Sequence, residues 1–312
     1  KRQSPMCLVA LAIDQSRRFP LVLATNRDEF FNRPSSPLEW WTPPSGGPAV
    51  LGGRDLKAGG TWLGLTADGR LGLITNVRDP SRHDPQAPSR GDVVPLWLEG
   101  RLTTDRFWTQ TALSGHNGFN LIAADFRAGD CFFATNLGAL PQRLTRGIHG
   151  LSNATLDTPW PKVSALKFRL RTALNRHAGV EGLADELFDA LADRSLADDD
   201  ALPSTGVPRE VERWLSSAFI RSPDGGYGTR CSTVVITERV NRRLVTHVLE
   251  RSFEPEGAGA LLRRTVLRSW PPSPDQEATE PVESEALIET RLERAVPPPL
   301  PPLAKRLSLI HI

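Results

Sequence analysis

The sequence predicts an α+β domain in which helices cover antiparallel β-sheets. Two observations predict it: short apolar, β-rich runs occur in neighbouring pairs, and segments with helical periodicity lie between the pairs. Adjacent paired strands favour hairpins over βαβ units, in which single strands and helices would alternate. No internal repeat is evident.

Four hairpins are predicted. The first joins "CLVALAID" (7–14) to "PLVLATN" (20–26), so that Cys7 opens its first strand. The others lie at 61–77 around the turn signal Asp68-Gly69, at 118–125 with 131–136, and at 230–253. Helices are predicted at roughly 91–113, 160–178, 181–193 and 209–220. At the start of the first of these, "SRGD" (89–92) is interpreted as a helix entry capped by Ser89 or Asp92.

The ends of the chain differ in composition from its centre. Met6 is the one methionine in the sequence and directly precedes Cys7. If translation starts there, removal of the methionine leaves Cys7 as the first residue, so residues 1–6 are interpreted as an upstream segment absent from the mature protein. Residues 7–270 form the predicted domain. Residues 271–312 hold nine of the 27 prolines, mixed with glutamates, and are predicted to be a disordered tail.

Charge and cysteine usage exclude several classes of protein. Lys and Arg total 38 against 36 for Asp and Glu, and no run of like charges stands out, so a dedicated nucleic-acid binder is not expected. Three cysteines without C-x-x-C spacing fit neither a disulfide framework nor a zinc site. No apolar stretch approaches the length of a membrane span. A cytoplasmic protein is therefore predicted.

Cys7 is the first candidate for chemistry. An α-amino group has a pKa near 7.7–8.0 and a cysteine thiol one near 8.5, so a cysteine at the chain terminus carries its own general base. Such a residue can attack a carbonyl without a histidine if a cation holds the thiolate and a donor stabilises the oxyanion. The alternative is that Cys7 is a small buried apolar residue.

Six sequence blocks strengthen the chemical interpretation. They are "LATNRDEFFNRP" (23–34), "GGRDLKAGGTWLG" (52–64), "ITNVRD" (74–79), "SRGD" (89–92), "GLSNATLDTPWPK" (150–162) and "YGTRCSTVV" (227–235). The glycine block lacks G-K-[ST] and is therefore not a phosphate-binding P-loop. With the initial Met-Cys, these blocks resemble the NRDE proteins, the transport and Golgi organisation 2 group, from Met6 to about Trp270.

The resemblance implies a four-layer αββα sandwich of antiparallel sheets, like that of N-terminal nucleophile hydrolases. Within that fold, Cys7 matches the nucleophile of the cysteine amidases, Asp28 the aspartate that holds the terminal amine, Asn153 the oxyanion-hole asparagine, and Arg230 a late arginine. Arg27 stands two residues beyond the expected early arginine, where this chain has Thr25. Asn76 is a candidate second donor or a turn cap.

Two functions remain open at this stage. The first is an N-terminal-cysteine hydrolase that cleaves an amide or thioester of a small acyl substrate and needs no cofactor. The alternative, implied by the family's reported roles, is a non-catalytic protein that binds and traffics haem, lipid or acyl-coenzyme A. The six histidines lack metal-site spacing, although a single histidine can contact haem iron. Trp40, Trp41, Trp62 and Trp160 are candidate walls of an apolar pocket.

Overall fold

The computed structural model describes residues 6–254, 259–272 and 282–293, which form two antiparallel sheets with helices on their outer faces. Strands and helices are numbered in chain order. The first sheet contains β1 (Met6–Ile13), β2 (Leu21–Phe30), β10 (Gly147–Leu151), β11 (Tyr227–Val240), β12 (Arg243–Phe253), β13 (Ala260–Arg268), β14 (Glu283–Ser284) and β15 (Ile288–Leu292). Its spatial order is β10-β1-β2-β11-β12-β13-β14, and β15 also pairs with β13.

The second sheet follows the chain in order. It contains β3 (Ser35–Trp41), β4 (Val50–Asp55), β5 (Leu63–Thr66), β6 (Arg70–Asn76), β7 (Phe119–Asp125), β8 (Asp130–Thr135) and β9 (Gln142–Arg143). Each strand pairs antiparallel with the next. The sheet is therefore built from local connections.

Five α-helices are present in the described residues: α1 (Val93–Leu98), α2 (Thr104–Ala112), α3 (Pro161–Arg176), α4 (Val180–Leu191) and α5 (Arg209–Trp214). Short 3₁₀ turns occur at Pro80–Arg82, Arg90–Asp92 and Asp199–Ala201. None of the helices in the described part of the chain combines the length and apolar character that crossing a membrane requires.

Three apolar clusters show how the layers stack. One joins Leu8 and Val22 of the first sheet to Leu170 and Leu187 of α3 and α4. A second fills the space between the sheets with residues such as Val9 of β1 and Leu65 of β5, and a third joins the outer face of the second sheet to α1 and α2. Because neighbouring residues of β1 enter different clusters, both of its faces are buried, which explains its continuous apolar sequence.

The four predicted hairpins are confirmed as the pairs β1–β2, β5–β6, β7–β8 and β11–β12. The mixed α+β class with antiparallel sheets is confirmed too. The helix expected at 91–113 is two helices, because Gly100 takes a left-handed conformation (φ 71°) after α1. Ser89 is the capping group of that region, since its Oγ accepts from the Gly91 amide at 3.2 Å.

Part of the segment predicted to be a disordered tail lies in strands. Within 282–293, β14 pairs with the end of β13, and β15 pairs along β13 from Arg264 to Ala260. The proline content of the segment hid these two short edge strands, which carry no proline themselves. The remaining tail residues, 273–281 and 294–312, lie outside the described residues, as do residues 1–5 of the predicted upstream segment.

Candidate active site around Cys7

Cys7 and Arg27 lie directly opposite each other in the β1–β2 register. Opposite residues of antiparallel strands project to the same face, and Val9 and Leu11 show that this face of β1 points between the sheets. Cys231 of β11 lies opposite Arg27 on its other side. The two-residue displacement of the early arginine therefore still places a guanidinium beside the thiol.

The Arg27 guanidinium is held by aromatic and acidic neighbours. It stacks on Trp62 at 4.2 Å from the ring centroid, and its Nη2 lies 3.6 Å from Glu29 and 3.7 Å from Asp55. The side chain is 5% exposed, and its Nη1 has no hydrogen-bond partner among the described residues. The Nη1 group of Arg27 is therefore a buried hydrogen-bond donor that is available to a ligand at Cys7.

The Trp62 indole can occupy its position because residue 53 is a glycine. A Cβ at Gly53 would lie 2.4 Å from Cη2 of the Trp62 indole, so a larger residue would displace the ring on which Arg27 stacks. The glycine block is thereby explained as close packing around Trp62.

Asp28 lies on the other face of β2, toward the helices, since side chains alternate along a strand. Its Oδ1 accepts a hydrogen bond from Thr229 Oγ1 at 2.7 Å, whereas its Oδ2 is buried without a partner among the described residues. Burial raises the pKa of Asp28 to about 6, and the Lys162 ammonium opposes that rise. Met6 is opposite Asp28 in the strand register, so the main-chain nitrogen of Cys7 belongs to the same neighbourhood.

A buried group of charges below Asp28 was not predicted from the sequence. Lys162, 5% exposed, donates to the Leu215 carbonyl at 2.9 Å, and burial lowers its pKa to about 8. Arg78 forms a buried ion pair with Glu212 and stacks on Trp160 at 4.7 Å. Lys162 and Arg78 both occur in the quoted sequence blocks, "TPWPK" and "ITNVRD", which was the available signal.

The Cys7 thiol is not activated while Cys7 is peptide-linked to Met6. Burial and the Asp28 carboxylate raise its pKa to about 12, against the opposing charge of Arg27. Residues 6 and 7 are peptide-linked here, so no amine is available beside the sulfur. A thiol in this state stays protonated at neutral pH.

The two candidate asparagines have different positions. Asn76 ends β6 and lines the cavity that also contains Cys7. Asn153 is 2% exposed, and its Nδ2 donates to the Asn76 main-chain carbonyl at 2.8 Å. The neighbouring Ser152 Oγ donates to the Cys7 carbonyl at 2.9 Å. The "GLSNA" block therefore connects the end of β6 to the strand that carries Cys7.

Arg230 lies at the bulge of β11 and binds main chain instead of the thiol. Its Nη1 donates to the carbonyls of Phe30 at 2.9 Å and Arg33 at 3.0 Å, and its Nη2 donates to Ser35 Oγ at 3.2 Å. This arginine fixes the segment that follows β2. It does not belong to the cavity lining.

A cavity of about 710 Å³ opens in front of Cys7. Its basic lining residues are Arg27, Arg33, Lys57 and Arg90, and its acidic lining residues are Glu29, Asp55 and Asp84. Of the four tryptophans expected to wall an apolar pocket, Trp62 alone lines this cavity, and seven of the 21 lining residues are charged. Trp41 packs under the second sheet instead, and Trp160 lies beneath Arg78. No group of three or more His, Cys, Asp or Glu in the described ranges is arranged to hold a metal ion.

A contact between two backbone segments forms one wall of the cavity. The Thr61 amide donates to the Gly91 carbonyl at 3.3 Å, and a Cβ at Gly60 would lie 1.9 Å from that oxygen. The glycine block and the "SRGD" turn are thereby held against each other.

Gly60→Ala is expected to lower the free energy of unfolding by about 3 kcal/mol, the upper range for overpacking, because backbone lies on both sides of the clash. Gly91→Ala is the matched control. Its Cβ would meet nothing closer than 3.4 Å, so its expected change is within about 0.5 kcal/mol. Urea denaturation of both proteins measures the difference, and equal midpoints would contradict the packing described.

Comparison with known proteins places the chain in a family. The sequence profile described as Transport and Golgi organisation 2 matches residues 6–255. Over 253 residues, which are 75% of this chain and 89% of each relative, the chain is 32% identical to the Transport and Golgi organization 2 homolog of Mus musculus, 35% to that of Bos taurus and 34% to that of Homo sapiens. The matched range contains Cys7, Arg27, Asp28, Asn76, Asn153 and Arg230. The chain therefore belongs to the Transport and Golgi organisation 2 family.

Proposed function

We propose that this chain, once Cys7 is its first residue, acts as an N-terminal nucleophile hydrolase on an amide or thioester of a small acyl substrate. The observation that carries the proposal is Asp28 Oδ2, a buried carboxylate oxygen without a hydrogen-bond partner among the described residues, on the residue that lies opposite Met6 in the strand register. Buried polar atoms are normally hydrogen-bonded. A terminal ammonium at Cys7 would supply the missing donor.

In the proposed reaction, the α-amine takes the proton from Cys7 Sγ, and the sulfur forms a bond to the substrate carbonyl carbon. The C–N or C–S bond then breaks, and the proton passes to the leaving amine or thiol. Water, deprotonated by the same amine, attacks the resulting thioester and releases a carboxylic acid. The chain returns to its starting state with atoms and protons balanced.

The neighbouring side chains receive distinct roles. Arg27 stabilises the thiolate with its charge, and its unused Nη1 is available to the anionic intermediate. Asn76 is the proposed oxyanion donor because it shares the cavity with Cys7, while Asn153 positions Asn76 through the bond to its carbonyl. Arg230 shapes the cavity rim by fixing residues 30–35.

The binding alternative with haem has weaker support. A porphyrin is accommodated best between apolar faces, with an axial ligand such as histidine. His83 lines the cavity together with Phe30 and Trp62, but Arg27 stacks on the Trp62 indole, and seven of the lining residues are charged. The lining therefore favours a polar acyl substrate over haem, and no step of the proposal uses a cofactor.

Turnover assays test the proposal. A chain that begins at Met6 is expressed, and mass spectrometry verifies that Cys7 has become the first residue. We expect release of thiol or amine from at least one member of a panel of acyl thioesters and acyl amides, and none from the Cys7→Ala protein. Cys131→Ala is the matched thiol control, because Cys131 lies on β8 outside the cavity. Equal rates in the Cys7→Ala protein would refute the mechanism.

A further inference from the structure

Arg90 differs from the other arginines of the cavity. Arg27 and Arg33 both lie within 3.7 Å of the Glu29 and Asp55 carboxylates. Arg90 lines the same cavity as Cys7 but forms no ion pair with any residue that the structure describes. Its Nη1 donates a hydrogen bond to the Gly118 carbonyl at 3.0 Å.

The Arg90 guanidinium is held on a rigid support. The 3₁₀ turn that begins at Arg90 is capped by Ser89, and its Gly91 is locked against Gly60 by the backbone contact described above. Because the Gly118 carbonyl holds one guanidinium nitrogen, the remaining N–H groups have a restricted direction. The side chain therefore loses little conformational entropy on binding a ligand.

The charged Arg90 guanidinium is partly desolvated, and a bound anion would offset this loss of solvation. Burial lowers the pKa of Arg90 to about 10 against the opposing charge of the Glu29 carboxylate, so the charged form is poorly solvated even with that acid nearby. The described lining of the cavity carries four basic and three acidic side chains, an excess of one positive charge. Lys57, which is exposed, also lines the cavity and forms no ion pair with any described residue.

We propose that Arg90 is a specificity-determining residue that binds an anionic group, a carboxylate or a phosphate, carried by the molecule whose carbonyl lies at Cys7. The guanidinium supplies two parallel N–H donors, the geometry that carboxylate and phosphate oxygens accept. The substrate class is therefore an acyl amide or thioester with a negative charge near the reacting carbonyl. This inference rests on the proposed function only for the position of that carbonyl.

Binding to the Cys7→Ala protein tests the inference without chemistry. The probes are glutaramate, which has an amide and a carboxylate, and glutaramide, its neutral isostere, measured by isothermal titration calorimetry. We expect glutaramate to bind about tenfold more tightly or better than glutaramide, the range for a charge-assisted hydrogen bond. Arg90→Gln is expected to abolish this preference and Arg90→Lys to retain part of it. Arg106→Gln, an exposed arginine on α2 outside the cavity, is expected to leave it unchanged.

Inorganic phosphate distinguishes the two anions. Displacement of glutaramate by phosphate at lower concentration than by acetate assigns a phosphate subsite, and the reverse order assigns a carboxylate subsite. Equal affinities for glutaramate and glutaramide, or an unchanged preference in a folded Arg90→Gln or Arg90→Lys protein, would overturn the proposal. If glutaramate binds through Arg90 while Cys7 never acylates, the hydrolase mechanism alone fails.

Discussion

A Lys162→Met protein is expected to lose about 3 kcal/mol of unfolding free energy at pH 7, because the substitution removes the cation that most strongly stabilises the buried Asp28 carboxylate. The pKa of Asp28 is raised from 3.8 to about 6 on folding, so its contribution to stability is present below pH 4 and lost as the pH rises through 6. At pH 5 the carboxyl is protonated and needs no cation. The loss on Lys162→Met is therefore expected to be smaller at pH 5 than at pH 7.

Urea denaturation at both pH values measures this effect. Lys167→Met is the matched control on the same helix, because Lys167 forms a more exposed ion pair with Asp157 and its removal should cost under about 1 kcal/mol. Adding Asp28→Asn to Lys162→Met should recover part of the stability, since both charges are then gone. A loss that is the same at pH 5 and pH 7, or is not recovered in the double variant, would show that Lys162 does not neutralise Asp28.

Asp28→Asn is expected to slow acylation of a chain that begins with Cys7 by about 10²–10⁴-fold, the range for general-base catalysis, because the α-amine that takes the proton is then no longer held in position. An amide cannot hold the terminal ammonium as a carboxylate does, although it can still accept the hydrogen bond from Thr229. Because the ionised Asp28 is costly to bury at pH 7, the variant should remain folded. Single-turnover acylation, followed by quenching and mass spectrometry, gives the rate.

Glu250→Gln controls for the loss of a buried carboxyl. Glu250 is 1% exposed in the same sheet, burial raises its pKa, and it accepts from the Leu38 amide and Thr233, away from Cys7. Its acylation rate should stay within about threefold of the unmodified chain. An Asp28→Asn protein that acylates at the full rate would remove Asp28 from the mechanism.

Local signals in the sequence were enough to predict the strands on either side of a turn. The first hairpin also defines the register: with Ile13 opposite Leu21, each step back along β1 is matched by one step forward along β2, which places Cys7 opposite Arg27. Arg27 lies two residues beyond the early arginine of the cysteine amidases, and that offset alone suggested a displaced side chain. The β1–β2 pairing shows instead that Arg27 lies beside the Cys7 thiol. Register was thus the stronger guide to the site.

Other parts of the site depend on contacts between distant segments. Lys162 lies in the first turn of α3, far along the chain from Asp28, and no periodicity links the two. Strand β4 contains Gly52 and Gly53, which indicate a turn in a sequence, yet both are required by close packing: a Cβ at Gly52 would lie 2.3 Å from the Leu63 carbonyl. The need for glycine at these positions follows from the three-dimensional packing of facing segments, which the local sequence does not contain.

The state of the Cys7 nitrogen determines whether the proposed chemistry can occur. Two forms of the chain, one starting at Cys7 and one in which Pro5, Met6 and Cys7 remain peptide-linked, are incubated with an acyl thioester that the first form turns over, then quenched in acid. Peptide mass spectrometry is expected to find the acyl group on Cys7 in the first form and unmodified Cys7 in the second. Equal acylation of both forms, or of neither, would contradict the account.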